Sequence, residues 1–493
     1  MSRPFDAARY AGLLEGLEAT ELLLSEVLPG NDVFRLDADY FGKSVLIALQ
    51  QLSRIGAVRL CAIAKITDGI HESLPFVEDG PVKVLSAKHP RDNFIDTTSY
   101  ETISQIYNDK NPRTALREGD VLLSTVGTIG NAAVVTGDTL PANSDRHIGI
   151  IRLDVDEVSP YFLSTFLVGK YGRAQSLREA TGNVQLNLFI SKIDQLLVPR
   201  FSARFEQQIA TQVASAYKTR KQADLRLAEA EQMLLHTLGL DNWQPPEPQS
   251  YVRSSRDAFS AGRLDAEYFS PATRAILEEL SRHGDVALSD ICKVATGFPW
   301  QSERFMERGT GVGDAFVRIR DCRPGAILAC DLDMLESPYA ITQGQPKAKR
   351  GDLVVGMDGL KWFYASQLMD ACYINQRVAW LSLTDTGFPS EYLLTALNSM
   401  VGQRQLLSRM TIAHTVGHIT LEDLRHVRIP ILTTELRVQV ATRARTAIME
   451  RLAAIALLDA AKRAVEVAIE DSEAAALAWL ATATGQPSPP ESA

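Results

Sequence analysis

Cysteine is scarce in this 493-residue chain: there are five, at positions 61, 292, 322, 330 and 372, an odd number without a Cys-x-x-Cys pair. That spacing argues against both a disulfide framework and a zinc site, and it reads as reduced thiols in a cytoplasmic protein. Long apolar runs are missing as well. No stretch approaches the roughly 18 residues a spanning helix needs, and Met1-Ser2-Arg3-Pro4 leads into an amphipathic segment rather than the apolar core of a signal peptide. Positive charge is in deficit, with 51 Lys and Arg against 60 Asp and Glu for a net −9. A wholesale polycation is thereby excluded, whereas a local basic face is not.

Catalytic motifs fail one after another. Phe41-Gly42-Lys43-Ser44 resembles the end of a phosphate loop, but the glycine required five residues before Gly42 is Asp37. Gly127-Thr128-Ile129-Gly130 follows a strand yet lacks the third glycine and the helix of a dinucleotide site, so it reads as a tight turn beside a close backbone approach. His414 and His418 stand four apart without a neighbouring Glu, and Gly417 opposes the helix that a zinc protease would need. No serine or cysteine has the context of a nucleophile, and no Asn/Asp-Pro-Pro-Tyr/Phe stretch is present to grip a flipped base.

What the chain does contain is itself, twice. Arg35-Leu36-Asp37-Ala38-Asp39-Tyr40-Phe41 recurs as Arg263-Leu264-Asp265-Ala266-Glu267-Tyr268-Phe269. Gly119-Asp120 with Val121-Leu122-Leu123 recurs as Gly351-Asp352 with Leu353-Val354-Val355, and the run from Ile193 to Pro199 matches the run from Leu424 to Pro430. Units this long are duplicated domains with their own cores, not solenoid repeats. Between the anchors, helical spacing at 45–55 gives way to short β-branched runs at 82–85, 120–124, 132–135 and 148–151, then to a helix at 161–171. The second copy repeats this order, with helices at 272–280 and 391–398 and strands near 315–319, 353–356 and 377–383. The frames match and the middles do not. One scaffold carrying two different surfaces explains that pattern, and so does simple drift after duplication.

A long helical pattern follows each closing proline. Ile209, Val213, Ala216, Arg220, Ala223, Leu227, Ala230 and Leu234 alternate spacings of four and three, a heptad seam. Val440, Ala444, Ala447, Arg451, Ala454, Leu458, Ala461 and Val465 repeat it. Alanine permits close approach, the two arginines could fix register, and helices near 203–238 and 434–470 are expected to pair antiparallel. The fold class expected is α+β: two duplicated mixed α/β domains and two long, antiparallel, coiled-coil-like helices. An N-terminal helix or helix pair spans 5–27, the proline-rich stretch 239–250 reads as a semi-rigid linker, and the tail from 485 reads as disordered.

Polar and basic residues between the strands are the candidate binding groups. In the first copy they are Ser86, Lys88, His89, Arg91 and Asn93, then Asn143, Arg146 and His147, then Asn183, Gln185 and Asn187. The second copy offers Trp300, Gln301 and Arg304, then Arg318, Arg320 and Arg323, then Lys361 and Trp362, then Asn375, Gln376 and Arg377, with His414 and His418. Arginine reads guanine bidentately, Asn and Gln read adenine, and lysine meets phosphates. Ordinary solvated loops contain the same residue types.

Taken together, the two Arg-Leu-Asp-Ala-Asp/Glu-Tyr-Phe runs, the stretch from Leu116 to Ser124 followed by Gly127 to Gly130, and Ile193 to Pro199 followed by Phe205-Glu206-Gln207-Gln208-Ile209 carry a resemblance. Over nearly its whole length the chain resembles the specificity subunit of a type I restriction-modification system. The second copy departs at Gly356-Met357-Asp358-Gly359 and at Arg437-Val438-Gln439-Val440. The resemblance implies target-recognition domains at 35–200 and 263–431, a helical segment at 1–34, spacer helices at 201–240 and 432–482, a linker at 241–262 and a tail at 483–493. It implies that each recognition domain reads half of a bipartite double-stranded DNA site through the loop residues above. It further implies two methyltransferase subunits as partners, with a restriction or translocase subunit as a further one. S-adenosylmethionine belongs to the methyltransferase, and no cofactor or catalysis to this chain. A scaffold that grips two copies of one protein without touching DNA is the competing reading, favoured by the low basicity.

Overall fold

The computed structural model describes residues 7–14, 21–28, 34–154, 158–182, 185–306, 312–359, 361–413 and 416–484. They form two compact units, one of residues 1–219 with 453–493 and one of residues 220–452. The division falls inside both long helices.

In the first unit α1 (Lys43–Arg54) precedes β1 (Val58–Arg59), β2 (Ala64–Asp68), β3 (Val82–Leu85), β4 (Glu101–Ile103), β5 (Val121–Ser124), β6 (Ala132–Val134), β7 (Ala142–Ser144) and β8 (Ile148–Leu153). Next come α2 (Pro160–Val168), α3 (Lys170–Glu179), β9 (Leu197–Val198) and the long α4 (Ala203–Thr237). The main sheet runs β2-β8-β5-β6, antiparallel throughout. A second sheet, β4-β3-β7, holds one parallel pair, β3 with β7. The closing anchor becomes β9 and pairs with β1.

The second unit follows the same plan. It begins with α5 (Pro271–His283), β10 (Asp285–Ala287), β11 (Cys292–Thr296), β12 (Phe305–Met306), β13 (Asp314–Val317), β14 (Gly325–Ile327) and β15 (Asp333–Leu335). It continues with β16 (Leu353–Gly356), β17 (Ala365–Leu368), β18 (Tyr373–Ile374), β19 (Val378–Leu383), α6 (Ser390–Asn398), α7 (Met400–Arg409), β20 (Thr411–Ala413), β21 (Val416–His418), β22 (Arg428–Pro430) and α8 (Thr434–Glu470). Its main sheet is β11-β19-β16-β17-β14, and its second sheet β12-β15-β13-β18 again contains one parallel pair, β13 with β18. The middles that differ in sequence therefore share part of the strand order, β2-β8-β5-β6 matching β11-β19-β16-β17, while in the second unit β14 adds a fifth strand parallel to β17 and the second sheet has four strands instead of three. Their topology survives because a short continuous apolar run suffices to make a strand buried on both faces, whichever apolar residues it contains.

The seven-residue opening motif has a mechanical explanation. Arg35 pairs with Asp37 at 2.8 Å and donates to the carbonyls of Arg178 and Ala180 at 2.8 and 3.0 Å, beside the end of α3. Tyr40 is buried between the guanidinium groups of Arg35 and Arg178. In the second unit Arg263 pairs with Asp265 and donates to the Arg409 carbonyl at 2.7 Å, while Tyr268 lies between Arg263 and Arg409. Each motif thus fastens the start of its copy to the helix that leads into the next loop. A second repeated fastener escaped sequence reasoning. Buried Gln175 accepts from the Leu197 N–H at 2.8 Å and donates to its carbonyl at 3.0 Å, and Gln405 does the same to Arg428 at 2.7 and 3.0 Å.

The long helices form as expected, and within the second unit Asp224 meets Arg451 while Arg226 meets Glu450, so the chains run antiparallel there. In the first unit Ser202, just before α4, meets Glu473, just beyond α8. Ile209, Val213, Ala216, Ala223, Ala230, Leu234, Val440, Ala444, Ala447, Ala454, Ala461 and Val465 are buried. Leu227 is only half-buried, against the expected seam, and Arg451 lies at the seam edge, reaching Asp224 and the Pro324 carbonyl at 2.6 Å. Three further expectations change. The helix at 161–171 is two helices, α2 and α3, which break at Gly169, and Gly172 permits the tight turn because a Cβ there would overlap the Phe166 carbonyl. The second spacer stops at Glu470, and a separate helix, Glu473–Thr484, follows. The stretch read as linker contains a helix, Ser255–Ala261, and its Glu247 pairs with Arg404 at 3.0 Å. N-terminal helix is described at Ala7–Leu14 and Leu24–Val27, and the tail from 485 lies outside the described residues.

Candidate functional site

One end of each main sheet gathers four loops through main-chain hydrogen bonds, and the two ends correspond atom for atom. In the first unit the Ile70 N–H donates to Ser144 O at 2.9 Å, Thr125 N–H to His147 O at 3.1 Å and Leu188 N–H to Thr125 O at 2.9 Å. In the second, Phe298 donates to Ile374 O at 2.9 Å, Met357 to Arg377 O at 3.1 Å and Ile419 to Met357 O at 3.0 Å. Bridges Val126↔Asn187 and Asp358↔His418 complete the match. The approach is so close that a Cβ on Gly69 would overlap the Asp145 carbonyl and one on Gly297 the Ile374 carbonyl. Only glycine fits either position. Gly127 and Gly130, at φ +72° and +85°, make the hairpin turn from β5 to β6, as their spacing indicates.

A fifth loop approaches from the second sheet. The Ala87 carbonyl accepts from Ser124 Oγ at 2.8 Å and Thr128 Oγ1 at 3.0 Å, which brings exposed Lys88 beside the sheet end. In the second unit Ile319, one residue before Arg320, lies against Gly356. The turn itself is capped by different chemistry in each copy. Ser86 N–H donates to His89 Nδ1 at 2.7 Å, and Arg318 N–H to Asp321 Oδ2 at 2.9 Å.

Several expected binding residues are spent on the fold. His89 is buried; its Nε2–H donates to Ser99 O at 3.0 Å, and burial pushes its pKa down. Asn93, also buried, bonds Ser164 and Thr165 of α2 from a left-handed turn position at φ +64°. Asn143 bonds Asn108 at 2.8 Å, and Trp300 is buried with Nε1–H on Ile374 O at 2.9 Å. None of these four has a free polar edge for a base, and they are corrected to fold residues because each satisfies a buried main-chain or side-chain partner. Arg91 pairs with Asp96, Arg318 with Asp333 at 3.0 Å, and Arg304 with Glu336 at 3.1 Å. Arg320 also reaches Asp333 but stays half exposed, as does Trp362, whose ring stacks on Tyr364. Ser86 is half-buried; Gln185, Gln301, Arg323 and Lys361 are exposed. Asn183 and His414 lie outside the described residues.

Arg146, His147, Gln376, Arg377 and His418 lie at the sheet ends together with two carboxylates that sequence reasoning did not single out. Asp145 Oδ2 holds His147 Nδ1 at 3.0 Å, and Arg146 Nε reaches His147 Nε2 at 3.4 Å. Asp358 Oδ1 holds His418 Nδ1 at 2.6 Å and meets Arg377 Nη1 at 3.7 Å. A polar hollow of about 350 Å³ adjoins the first unit's end, lined by His71, Glu72, Lys110, Asn111 and Arg113 among others, with Asp68 bonding both His71 and Arg113.

No family model matches the chain, and no curated protein matches it in sequence. Solved type I specificity subunits are similar to it. The S subunit of a type I restriction-modification system from M. genitalium is 12% identical, with 84% of this chain and 94% of that one covered at a TM-score of 0.37. The HsdS subunit from Thermoanaerobacter tengcongensis is 17% identical, with 87% and 96% covered at 0.27. The type IIG restriction endonuclease BpuSI, 9% identical, matches over 36% of this chain and 28% of its own at 0.27. No helix among the described residues is long and apolar enough to cross a membrane.

Proposed function

We propose that the chain is the non-catalytic DNA-recognition subunit of a type I restriction-modification complex, with target-recognition domains at 35–200 and 263–431 that each read one half of a bipartite site. The observation that carries this reading is the repeated sheet end: identical main-chain bonds present Arg146, His147 and Asn187 in one unit and Gln376, Arg377 and His418 in the other. Equal geometry with unequal side chains is what two different half-sites require. Methyl transfer from S-adenosylmethionine, and any cleavage, belong to partner subunits. Two methyltransferase copies would dock on what the units share, and Leu36 and Leu264, 75% and 83% exposed within the repeated motif, are apolar residues without an internal role in either copy. Those leucines, with the net charge of −9, equally suit a protein scaffold that never touches DNA.

Selection from a random duplex pool separates the two readings. The purified chain, or its complex with co-expressed methyltransferase, is expected to enrich two short blocks at fixed spacing. Enrichment of no sequence would leave the scaffold reading.

A further inference from the structure

Both sheet ends carry an Asp–His–Arg group, and the two groups come from different sequence positions. In the first unit all three residues are consecutive, Asp145-Arg146-His147. The arginine donates to Nε2 of the imidazole, whose Nδ1 faces the carboxylate, so the proton of a neutral ring lies on Nδ1. In the second unit three loops contribute: Asp358 from the turn after β16, Arg377 from the approach to β19 and His418 from the end of β21. Arg377 stands where His147 stands in the first unit, so duplication of a motif does not account for the second group. The carboxylates are mostly covered, at 21% and 24% exposure, while Arg146 and Arg377 are exposed.

We propose, building on the DNA-recognition reading, that Arg146 and Arg377 are the guanine readers of the two half-sites, each held in position by its Asp–His pair. A free arginine loses side-chain entropy when it docks, and a neighbour that restrains it beforehand, His147 for Arg146 and Asp358 for Arg377, lowers that loss. The planar guanidinium then offers its remaining N–H groups to guanine O6 and N7, an acceptor pair no other base presents in the major groove. Asp145 and Asp358 would be repelled by phosphates if bare. Partial compensation by the adjoining histidine and arginine makes a carboxylate tolerable there. Asp145, His147, Asp358 and His418 are thus positioning residues.

The experiment sequences duplexes selected from a random pool by the full chain, in complex with its methyltransferase where that is needed for binding, for wild type and four variants. Wild type is expected to require a guanine in each half. Arg377→Ala should lower discrimination at one guanine of one half about 10- to 100-fold, leaving the other half unchanged, and Arg146→Ala should do the same in the opposite half. Arg377→Lys keeps the charge but not the planar fork, so it should retain salt dependence and discriminate that same guanine less than wild type and more than Arg377→Ala. Asp358→Asn should weaken the same position without affecting non-cognate binding. The inference is overturned if Arg377→Ala keeps its guanine preference, if the position lost is not guanine, or if both halves change together. A wild type that selects no sequence would instead bring down the DNA-recognition reading itself.

Discussion

Gln405 tests whether the repeated fasteners hold the sites in place. Its amide donates to Val401 O at 3.1 Å and Arg428 O at 3.0 Å, and its oxygen accepts from Arg428 N–H at 2.7 Å. It therefore clamps α7, whose end carries the Arg409 carbonyl that anchors the opening motif, to closing strand β22. Gln405→Ala leaves the N–H and the carbonyl of Arg428 without these partners; at about 1–3 kcal/mol for each group left unsatisfied, and allowing for partial access of water, the loss should be about 2–4 kcal/mol. Gln405→Glu is the sharper probe. Its carboxylate still accepts from Arg428 N–H but faces two carbonyl oxygens, so its folded-state pKa must lie above the unfolded one. The folded form then holds a proton more readily than the unfolded form, and the variant loses stability as pH rises through the interval between the two values.

Urea unfolding at pH 5 and pH 8 checks both statements. Trp243, Trp300, Trp362 and Trp380 all lie in the second unit and only Trp479 in the first, so tryptophan fluorescence reports the affected unit. A Gln405→Ala loss below about 1 kcal/mol, or a Gln405→Glu variant equally stable relative to wild type at both pH values, would refute the clamp. Gln175→Ala should destabilise the first unit similarly, and the two losses should add because the residues share no partner.

Leu458→Asp should cost about 3–5 kcal/mol, since the charge replaces a side chain only 7% exposed; Leu227→Asp, at a half-buried site, should cost less, and equal unfolding midpoints would contradict this seam. Burial pushes the Glu231 carboxyl up, with the Met400 N–H offsetting only part of it. A raised carboxyl pKa makes wild-type stability fall as pH rises through that range, so Glu231→Gln should melt higher than wild type at pH 8 and lose that advantage near pH 4. The purified chain alone should neither methylate nor cut DNA, which radiolabelled methyl transfer and gel analysis of single-turnover reactions would detect.

The duplication, both long helices and seven of the strands, chiefly those of the two main sheets, were legible because they rest on periodicity and on repeated anchors. The sites were legible only in part. Lys88, Arg146, His147, Gln376 and Arg377 announce themselves as polar residues between strands, and so do His89, Asn93 and Trp300, which turn inward to bond buried partners. A loop residue's type says nothing of which way it faces. Asp145 could have been noticed beside Arg146 and His147, whereas Asp358 joins Arg377 and His418 only after the chain has folded. Gln175 and Gln405 were hidden for another reason: a glutamine in a helix reads as solvated surface until a closing strand is found against it.

The correspondence of the two sheet ends also explains how one scaffold can display two different sets of side chains. Its bonds run from Thr125 N–H to His147 O and from Leu188 N–H to Thr125 O, or from Met357 to Arg377 and from Ile419 to Met357. Every donor and acceptor among these belongs to the main chain, so the network is indifferent to the side chains it displays. Val126 in one copy can be Asp358 in the other, and Asn187 can be His418, without one of these bonds being lost. Gly69 and Gly297 are the exceptions, because there the packing of backbone on backbone leaves no room for a Cβ. Constraint therefore falls on the glycines, the clamps and the opening motif, while the displayed positions can change. Exposed arginines such as Arg146 and Arg377 can then arise in different slots, one against His147 and the other against Asp358.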